Sequence, residues 1–550
     1  MSDEAPKDVL MKRYRYLAEK EPNREAFVFV GDALERLPLT RYQLWDSCAR
    51  YASRLRRYGI KNGDVVCSMI KTSRTKLVTS FGIIAAGGVV VNGVTILADG
   101  QDIFRILNTA KCQTILTSWN RPEFIFLQQF LKMDKTLPAG IETIIPVQCE
   151  KAPCLKQLIV YQLTSHEDHT SFLSSLADED FYEADVTADD EAYIFLTSGS
   201  TSYSKMVPRT HRECLALVDS IPRDDAIVLN NREMEWIGGF PSFYLAVGST
   251  TIVQEYKDTA VKLNVVDVWN FACKEGATAA VLVPAEVVVV KQAFYNGTLT
   301  SRIKRVLCGA QPLKKSVFSV VDVICDEIMI VYGSTDAGFV STGFVTRDNK
   351  DTVKDCYAGD KLMSDIQMKI VDEKTKLTIT SPNKVGKLFL KGGNVLRHYM
   401  NVDYTTSGVF TEDGWFDSSD VGYIDDIGGI HVIGRTSDII ISGPGVLYPQ
   451  WLEERIQQCP GVASVVVVGI PHPVKFQEIC VCVIKEKNSN LTAGDLEEFC
   501  NKIFTKIAGN DDGLPKKFFF LDTFPQTSTG KHSRKALEKL ASEYFQNLSQ

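Results

Sequence analysis

Ala192-Tyr-Ile-Phe-Leu-Thr-Ser-Gly-Ser-Thr-Ser-Tyr-Ser-Lys-Met-Val207 is the stretch on which the reading of the fold turns. Residues 193–196 are a short apolar run of strand type, after which the chain enters small and hydroxyl-bearing residues that end near a lysine. A strand of this kind feeds an anion cradle. Small residues let backbone N–H groups turn toward phosphate oxygens, Thr197, Ser198, Ser200 and Thr201 add hydroxyl donors around Gly199, and Lys205 adds a positive charge. A solvated Ser/Thr turn has the same composition. A Walker A loop is excluded, because it requires Gly-Lys-Ser/Thr and Lys205 stands between Ser204 and Met206.

Outward from this stretch the chain keeps an α/β rhythm. Residues 39–58 carry apolar side chains at helical spacing, and Val65-Val66-Cys67 then reads as a strand. Further apolar runs at 114–116, 143–147 and 157–161 alternate with helical segments, which predicts a largely parallel sheet. Residues 178–191 are acidic and read as a solvated linker. Residues 279–283 followed by Pro284 read as a buried strand and its stop, and residues 328–331 as a strand with Tyr332-Gly-Ser-Thr-Asp336 at its end. Open α/β sheets bind ligands at the carboxyl ends of their strands, so that position favours a site. From Pro449 the pattern becomes small α+β, with a helix capped by Thr492.

The bulk properties narrow the class. At 550 residues the chain exceeds the roughly 250 to 300 at which single cores stop growing, so at least two domains are expected. A net charge of −7 argues against a polyanion-binding surface and so against nucleic acid as a partner. The fourteen cysteines form no Cys-x-x-Cys pair and the seven histidines do not join them at zinc spacing, which points to a reducing compartment. Residues 1–14 lack the apolar core of a secretory signal, and the apolar run 81–97 is interrupted by glycines and Asn92, so no transmembrane segment is expected. The C-terminal Asn-Leu-Ser-Gln is not the Ser-Lys-Leu address, which leaves a cytoplasmic monomer or homodimer as the expectation.

Thr197-Ser-Gly-Ser-Thr201 with Lys205 resembles the signature loop of the adenylate-forming superfamily, which includes acyl-CoA synthetases, coumarate-CoA ligases, beetle luciferases and peptide-synthetase adenylation domains. The family form is Thr-Ser-Gly-Ser/Thr-Thr-Gly-x-Pro-Lys-Gly, and Ser202, Ser204 and Met206 stand where Gly, Pro and Gly are usual. Five later motifs follow in family order. Val306-Leu-Cys-Gly-Ala-Gln-Pro-Leu313 resembles Ser-Gly-Gly-Ala-Pro-Leu, which implies that Gly309, Ala310 and Gln311 border the adenine. Tyr332-Gly-Ser-Thr-Asp336 resembles Tyr-Gly-x-Thr-Glu. It implies adenine stacking by Tyr332, nucleotide contacts along Gly333 and Ser334, an α-phosphate contact by Thr335 and Mg²⁺ binding by Asp336, one methylene shorter than the usual Glu. Gly414 to Tyr423 and Gly434-Arg-Thr-Ser-Asp imply ribose contacts by Asp420 and Arg435, with Ser419 in place of a glycine. Pro525-Gln-Thr-Ser-Thr-Gly-Lys531 resembles Pro-x-Thr-x-Thr-Gly-Lys and implies that Lys531 acts in adenylate formation.

The resemblance implies an α/β fold with a large N-terminal adenylate-forming domain of parallel sheets, 1–434, and a small mobile α+β lid, 435–550, hinged near Ser437. Catalysis is then expected from Lys205, Thr335 and Lys531, with ATP, Mg²⁺ and coenzyme A as cofactors and cosubstrates and a small carboxylic acid as substrate. The acid pocket is expected at Trp236, Gly238, Ala310 and Gly333, although packing accounts for Trp236 equally well. Two alternatives stand beside an acid–CoA ligase. One is a luciferase-like oxidase that uses the same adenylate. The other is a catalytically weak nucleotide-binding homologue, motivated by Ser202, Ser204, Met206, Asp336, Ser419 and by Phe476 where glycine is usual.

Overall fold

The computed structural model describes residues 5–92, 101–131, 140–197, 205–219, 227–256, 263–311, 313, 315–400, 408–438, 440–442, 445–447, 449–472, 476–508, 515–526 and 531–548, and the counts given are of those residues. The apolar runs of the first half become a seven-stranded sheet. Its order is Glu142–Pro146, Gln157–Tyr161, Thr114–Ser118, Val65–Ser68, Val89–Val91, Glu191–Leu196, Met206–Thr210. The five inner strands are parallel and both edge strands antiparallel. A nine-stranded sheet is built the same way, with parallel pairing from Cys325–Ser334 through Ile303–Gly309, Ala279–Leu282, Ile227–Leu229 and Thr250–Gln254 to Glu25–Val30. Parallel strands need both faces covered, and that requirement fixes where the helices lie.

Between the two sheets runs the helix Arg74–Ala85, all twelve residues of which are buried. Phe81 of this helix packs against Tyr14, Tyr193 and Phe240, and Tyr14 leads on through Tyr244 to Phe27, in one continuous core. Each such apolar side chain contributes about 1.5–3 kcal/mol on leaving water. The outer face of the nine-stranded sheet is covered by the helices Val265–Lys274 and Pro284–Tyr295, the second opened by Pro284, whose fixed φ suits the first turn.

A five-stranded antiparallel sheet, with Gly386–Lys391, Phe416–Ile424 and Ile430–Arg435 adjacent, leads to the C-terminal part. There Val462–His472 and Phe476–Lys485 pair antiparallel, and Lys517–Phe520 joins the second strand in parallel. Thr492 caps the helix Ala493–Ala508 by accepting from Asp495 N at 3.3 Å, as its sequence position implies. None of the fourteen cysteines is joined in a disulfide. No helix among the described residues is long and apolar enough to cross a membrane.

Three sequence expectations change. The helix read at 39–58 is Arg41–Arg57: Leu39 and Thr40 close the strand Arg36–Thr40, and Thr40 stops the helix by a reciprocal bond with Gln43. The acidic segment 178–191 is more than a solvated linker. Glu179 lies buried between Arg54 and Arg57, and Glu183 binds Arg15 and the Trp45 indole, so its charges strap it to the helix Arg41–Arg57. The strand read at 328–331 spans Cys325–Ser334, because Tyr332, Gly333 and Ser334 pair antiparallel with Gly338–Thr346 and leave only a short turn at Thr335 and Asp336.

Candidate active site

The strand Glu191–Leu196 leaves its sheet at Thr197, and the chain returns at Lys205 into Met206–Thr210. Two hydrogen bonds close the neck: Thr197 N donates to Lys205 O at 2.9 Å and Lys205 N donates to Thr197 Oγ1 at 3.0 Å. Ser198, Gly199, Ser200, Thr201, Ser202 and Ser204 lie outside the described residues. Met206, where glycine is usual, pairs with Leu196 and is buried in the core beneath the neck, so its side chain is not part of the cradle.

Lys205 is exposed, and its ammonium sits 4.6 Å from the ring centroid of Tyr399. The Tyr399 hydroxyl donates to Asp336 Oδ1 at 2.6 Å, so one tyrosine joins the loop lysine to the expected metal carboxylate. Arg209, fully buried on the returning strand Met206–Thr210, donates to the carbonyl oxygens of Thr335 and Asp336, both at 3.0 Å, and of Asn394 at 2.9 Å. The turn carrying Thr335 and Asp336 is thereby clamped to the returning strand of the phosphate loop. Sequence reasoning missed Arg209 and Tyr399. A lone arginine in a strand and a lone tyrosine before residues 401–407 carry no pattern, and their partners are backbone carbonyls and a distant carboxylate.

Tyr332 lies on the opposite side of this turn and donates to Asp420 Oδ2 at 2.6 Å, while Arg435 Nε donates to Asp420 Oδ1 at 3.2 Å. Asp420 is 6% exposed. Burial pushes its pKa up, and the Arg435 guanidinium and the Tyr332 hydroxyl pull it back. A bulge aims this carboxylate: Lys387 and Phe389 face Val421 and Asp417, so extra residues are accommodated around Ser419. Ser419 itself takes φ +60°, the left-handed region that explains why glycine is usual there.

Gly309 lies beside Val331, and a Cβ on it would fall 2.2 Å from the Val331 carbonyl oxygen; a Cβ on Gly333 would fall 2.3 Å from Gly338 O. These two positions therefore present bare backbone, with Ala310 at φ +67° and Gln311 following. Ser334 accepts from Ala337 N at 3.1 Å and shapes the same turn. Trp236 caps the short helical turn Ile237–Gly239, and Gly238 O accepts from Asn230 Nδ2 at 3.0 Å. The Trp236 indole N–H is buried without a hydrogen-bond partner among the described residues, the condition of a donor that awaits an acceptor.

Lys531 arrives from the C-terminal part and is half-buried. Burial and then the charge of Arg435 push its pKa down to about 8, against the pull of Asp420, so it lies within electrostatic reach of the Asp420–Arg435 pair. Arg534, just beyond, donates to Glu453 and to Val467 O and approaches Asp438 of the turn Thr436–Asp438 at 3.8 Å. The Ser437 side chain and Phe476 side chain lie outside the described residues. One ammonium group, a carboxylate and bare backbone at one end, with a second ammonium beside a buried carboxylate–guanidinium pair at the other, suit a polyanion joined to a polyol. Among the described residues no three His, Cys, Asp or Glu side chains converge on a metal cage. A single carboxylate held by a tyrosine fits a cation that keeps most of its ligands from water and phosphate.

The family model described as AMP-binding enzyme matches residues 15–400, and that described as AMP-binding enzyme C-terminal domain matches residues 452–531. Among relatives, 4-coumarate–CoA ligase 3 of Arabidopsis thaliana is 23% identical, covering 89% of this chain and 84% of its own. A long-chain-fatty-acid–CoA ligase of Mycobacterium tuberculosis is 26% identical, covering 65% of this chain and 69% of its own. Among solved structures, o-succinylbenzoate coenzyme A synthetase from Bacillus subtilis, in complex with ATP and magnesium ion, superposes with a TM-score of 0.73 at 20% identity, covering 96% of this chain and 99% of its own. That likeness is one of fold.

Proposed function

The chain belongs to the AMP-binding enzyme family, and on that premise we propose that it activates a carboxylic acid with ATP as an acyl-adenylate and transfers the acyl group to coenzyme A. The observation that carries this reading is the approach of Lys531 to the Asp420–Arg435 pair across from Lys205, Tyr399 and Asp336. Such a site matches a nucleotide lying with its ribose at Asp420 and Arg435, its adenine on Tyr332 between Gly309, Ala310, Gln311, Gly333 and Ser334, and its phosphates at the loop 197–201, Lys205 and Thr335.

In the first half-reaction an acid carboxylate oxygen attacks the α-phosphorus, the bond to the bridging oxygen breaks and pyrophosphate leaves. Lys531 and Lys205 stabilise the charge that builds on the phosphoryl oxygens, in a cleft from which the lid excludes water. Mg²⁺, held through Asp336, supplies further neutralisation of the phosphates when bound. In the second half-reaction the thiol sulfur attacks the acyl carbon, the carbon–oxygen bond to AMP breaks, and the thiol proton passes to solvent. Trp236 and Gly238 border the acid, and the unpaired Trp236 N–H gives it one donor. The lid, residues 435–550, turns about Ser437 between the two halves. The named relatives are CoA ligases, which favours this reading over the oxidase and over a catalytically weak homologue.

The test is pyrophosphate release with cinnamic, aryl and fatty acids, with and without coenzyme A. We expect ATP- and acid-dependent release, and AMP and thioester in equal amounts when coenzyme A is present. Absence of release with every acid, together with no MgATP binding at millimolar concentration by calorimetry, overturns the reading.

A further inference from the structure

Lys76 sits on the wholly buried helix Arg74–Ala85 with 1% of its surface exposed. Burying an ammonium is costly unless a counter-charge offsets it, yet no carboxylate is bonded to Lys76 among the described residues. It donates instead to Ser68 O at 3.1 Å, Ser68 Oγ at 2.9 Å and Asn92 Oδ1 at 2.8 Å. Burial pushes its pKa down to about 8; Glu235 and Cys67 act to raise it, and Arg121 to lower it further.

The partner of interest is Asn92. An ammonium can only donate, so Lys76 fixes the Asn92 amide with its oxygen inward and its nitrogen toward Met234, to whose carbonyl it donates at 3.2 Å. The Asn92 backbone N–H donates to Ile194 O at 3.3 Å, on the strand that enters the phosphate loop. Thr72 adds a parallel tie: its hydroxyl accepts from Met234 N at 2.8 Å and donates to Glu235 Oε2 at 2.9 Å. Met234 and Glu235 lead directly into Trp236. A chain of named bonds therefore runs from the strand Glu191–Leu196 through Asn92 to the segment that borders the acid.

We propose that Lys76 is a positioning residue for the acid pocket: it orients Asn92, and Asn92 holds residues 234–236 in register with the strand that enters the phosphate loop. This rests on the adenylation reading of the site. The ties do not pass through the nucleotide-binding residues, so acid binding and ATP binding separate on its loss. Below about pH 8 the ammonium specifies the Asn92 orientation. Above it, the neutral amine carries a lone pair and specifies it no longer.

The experiment compares the wild-type chain with Lys76→Met and Asn92→Leu by pyrophosphate release and by amide hydrogen exchange. For Lys76→Met the acid KM should rise about tenfold and the ATP KM change by less than about twofold. The variant-to-wild-type ratio of acid KM should fall toward one as pH rises past 8, because Lys531 titrates alike in both proteins and cancels. Amides of residues 234–240 should exchange faster, with those of Ile227–Leu229 unchanged. Asn92→Leu keeps the lysine, cuts the tie to Met234 and should reproduce the exchange and KM pattern, so it carries the test if Lys76→Met does not fold. Equal rises in both KM values, a ratio flat with pH, or unaltered exchange at 234–240 would overturn the proposal. If the wild-type chain releases no pyrophosphate with any acid, the adenylation reading fails and the exchange pattern alone decides on Lys76.

Discussion

Lys531 is charged only while the pH stays below about 8, and this sets the first prediction. Adenylation at saturating substrates should fall as pH rises through that value, whereas Lys531→Arg, whose charge persists, should show a flat profile at a lower rate. Lys531→Ala should lose roughly 10² to 10³ in adenylation, and should still form thioester from a supplied acyl-adenylate and coenzyme A. A surface lysine would leave both half-reactions intact. Ser419 gives the second prediction. Its φ of +60° strains an L side chain, so Ser419→Gly should raise stability by about 1 kcal/mol, read as a higher urea midpoint at unchanged slope. At this scale the resemblance proposes Lys531, Asp420 and Asp336, and the structure sets Asp420 against Tyr332 and Arg435 and Asp336 against Tyr399. The sequence did not show that Ser419 is left-handed, because the bulge opposite Lys387 and Phe389 belongs to the pairing of Gly386–Lys391 with Phe416–Ile424, two strands distant in the chain, and not to a local motif.

The site is assembled where the strands Met206–Thr210 and Cys325–Ser334 are brought together, and Arg209 is the fastener between these elements. Its guanidinium donates to the carbonyl oxygens of Thr335, Asp336 and Asn394, of which Asp336 O also accepts from Leu396 N at 2.7 Å. Leaving buried carbonyls unpaired costs about 1–3 kcal/mol each, so Arg209→Met should destabilise by about 2–4 kcal/mol and raise the Mg²⁺ concentration needed for half-maximal adenylation. Arg209→Lys, with three donors but no planar fork, should recover part of the stability and little of the metal dependence. A normal Mg²⁺ requirement in a folded Arg209→Met protein would show that the turn holds its shape alone. Strand positions such as Gln157–Tyr161 were legible because apolar runs report burial directly. The extension of Cys325–Ser334 beyond its apolar run was not legible, since Tyr332, Gly333 and Ser334 are held there by pairing with Gly338–Thr346 rather than by their own preferences.

For the whole molecule, a large N-terminal domain and a smaller C-terminal one were legible from length and from the change of pattern at Pro449. The interleaving of two sheets around the helix Arg74–Ala85 was not, because it depends on which distant strands pair. The proposed rotation of residues 435–550 about Ser437 should be stopped by Ser437→Pro, which fixes φ. That variant should lose one half-reaction and keep much of the other; equal loss of both would indicate misfolding or a static lid. The contact of Arg534 with Asp438 ties the lysine-bearing end of the lid to the turn at the proposed hinge, so the two should move as a unit. The shifted ammonium of Lys531 has one more consequence. An open lid would return that lysine to solvent and to its ordinary value of 10.5, while the closed arrangement holds it at about 8. Between those limits closure expels a proton, so the motion that assembles the site is also an acid–base reaction, and alkaline buffer favours the closed lid even as it strips the lysine of the charge for which closure is useful.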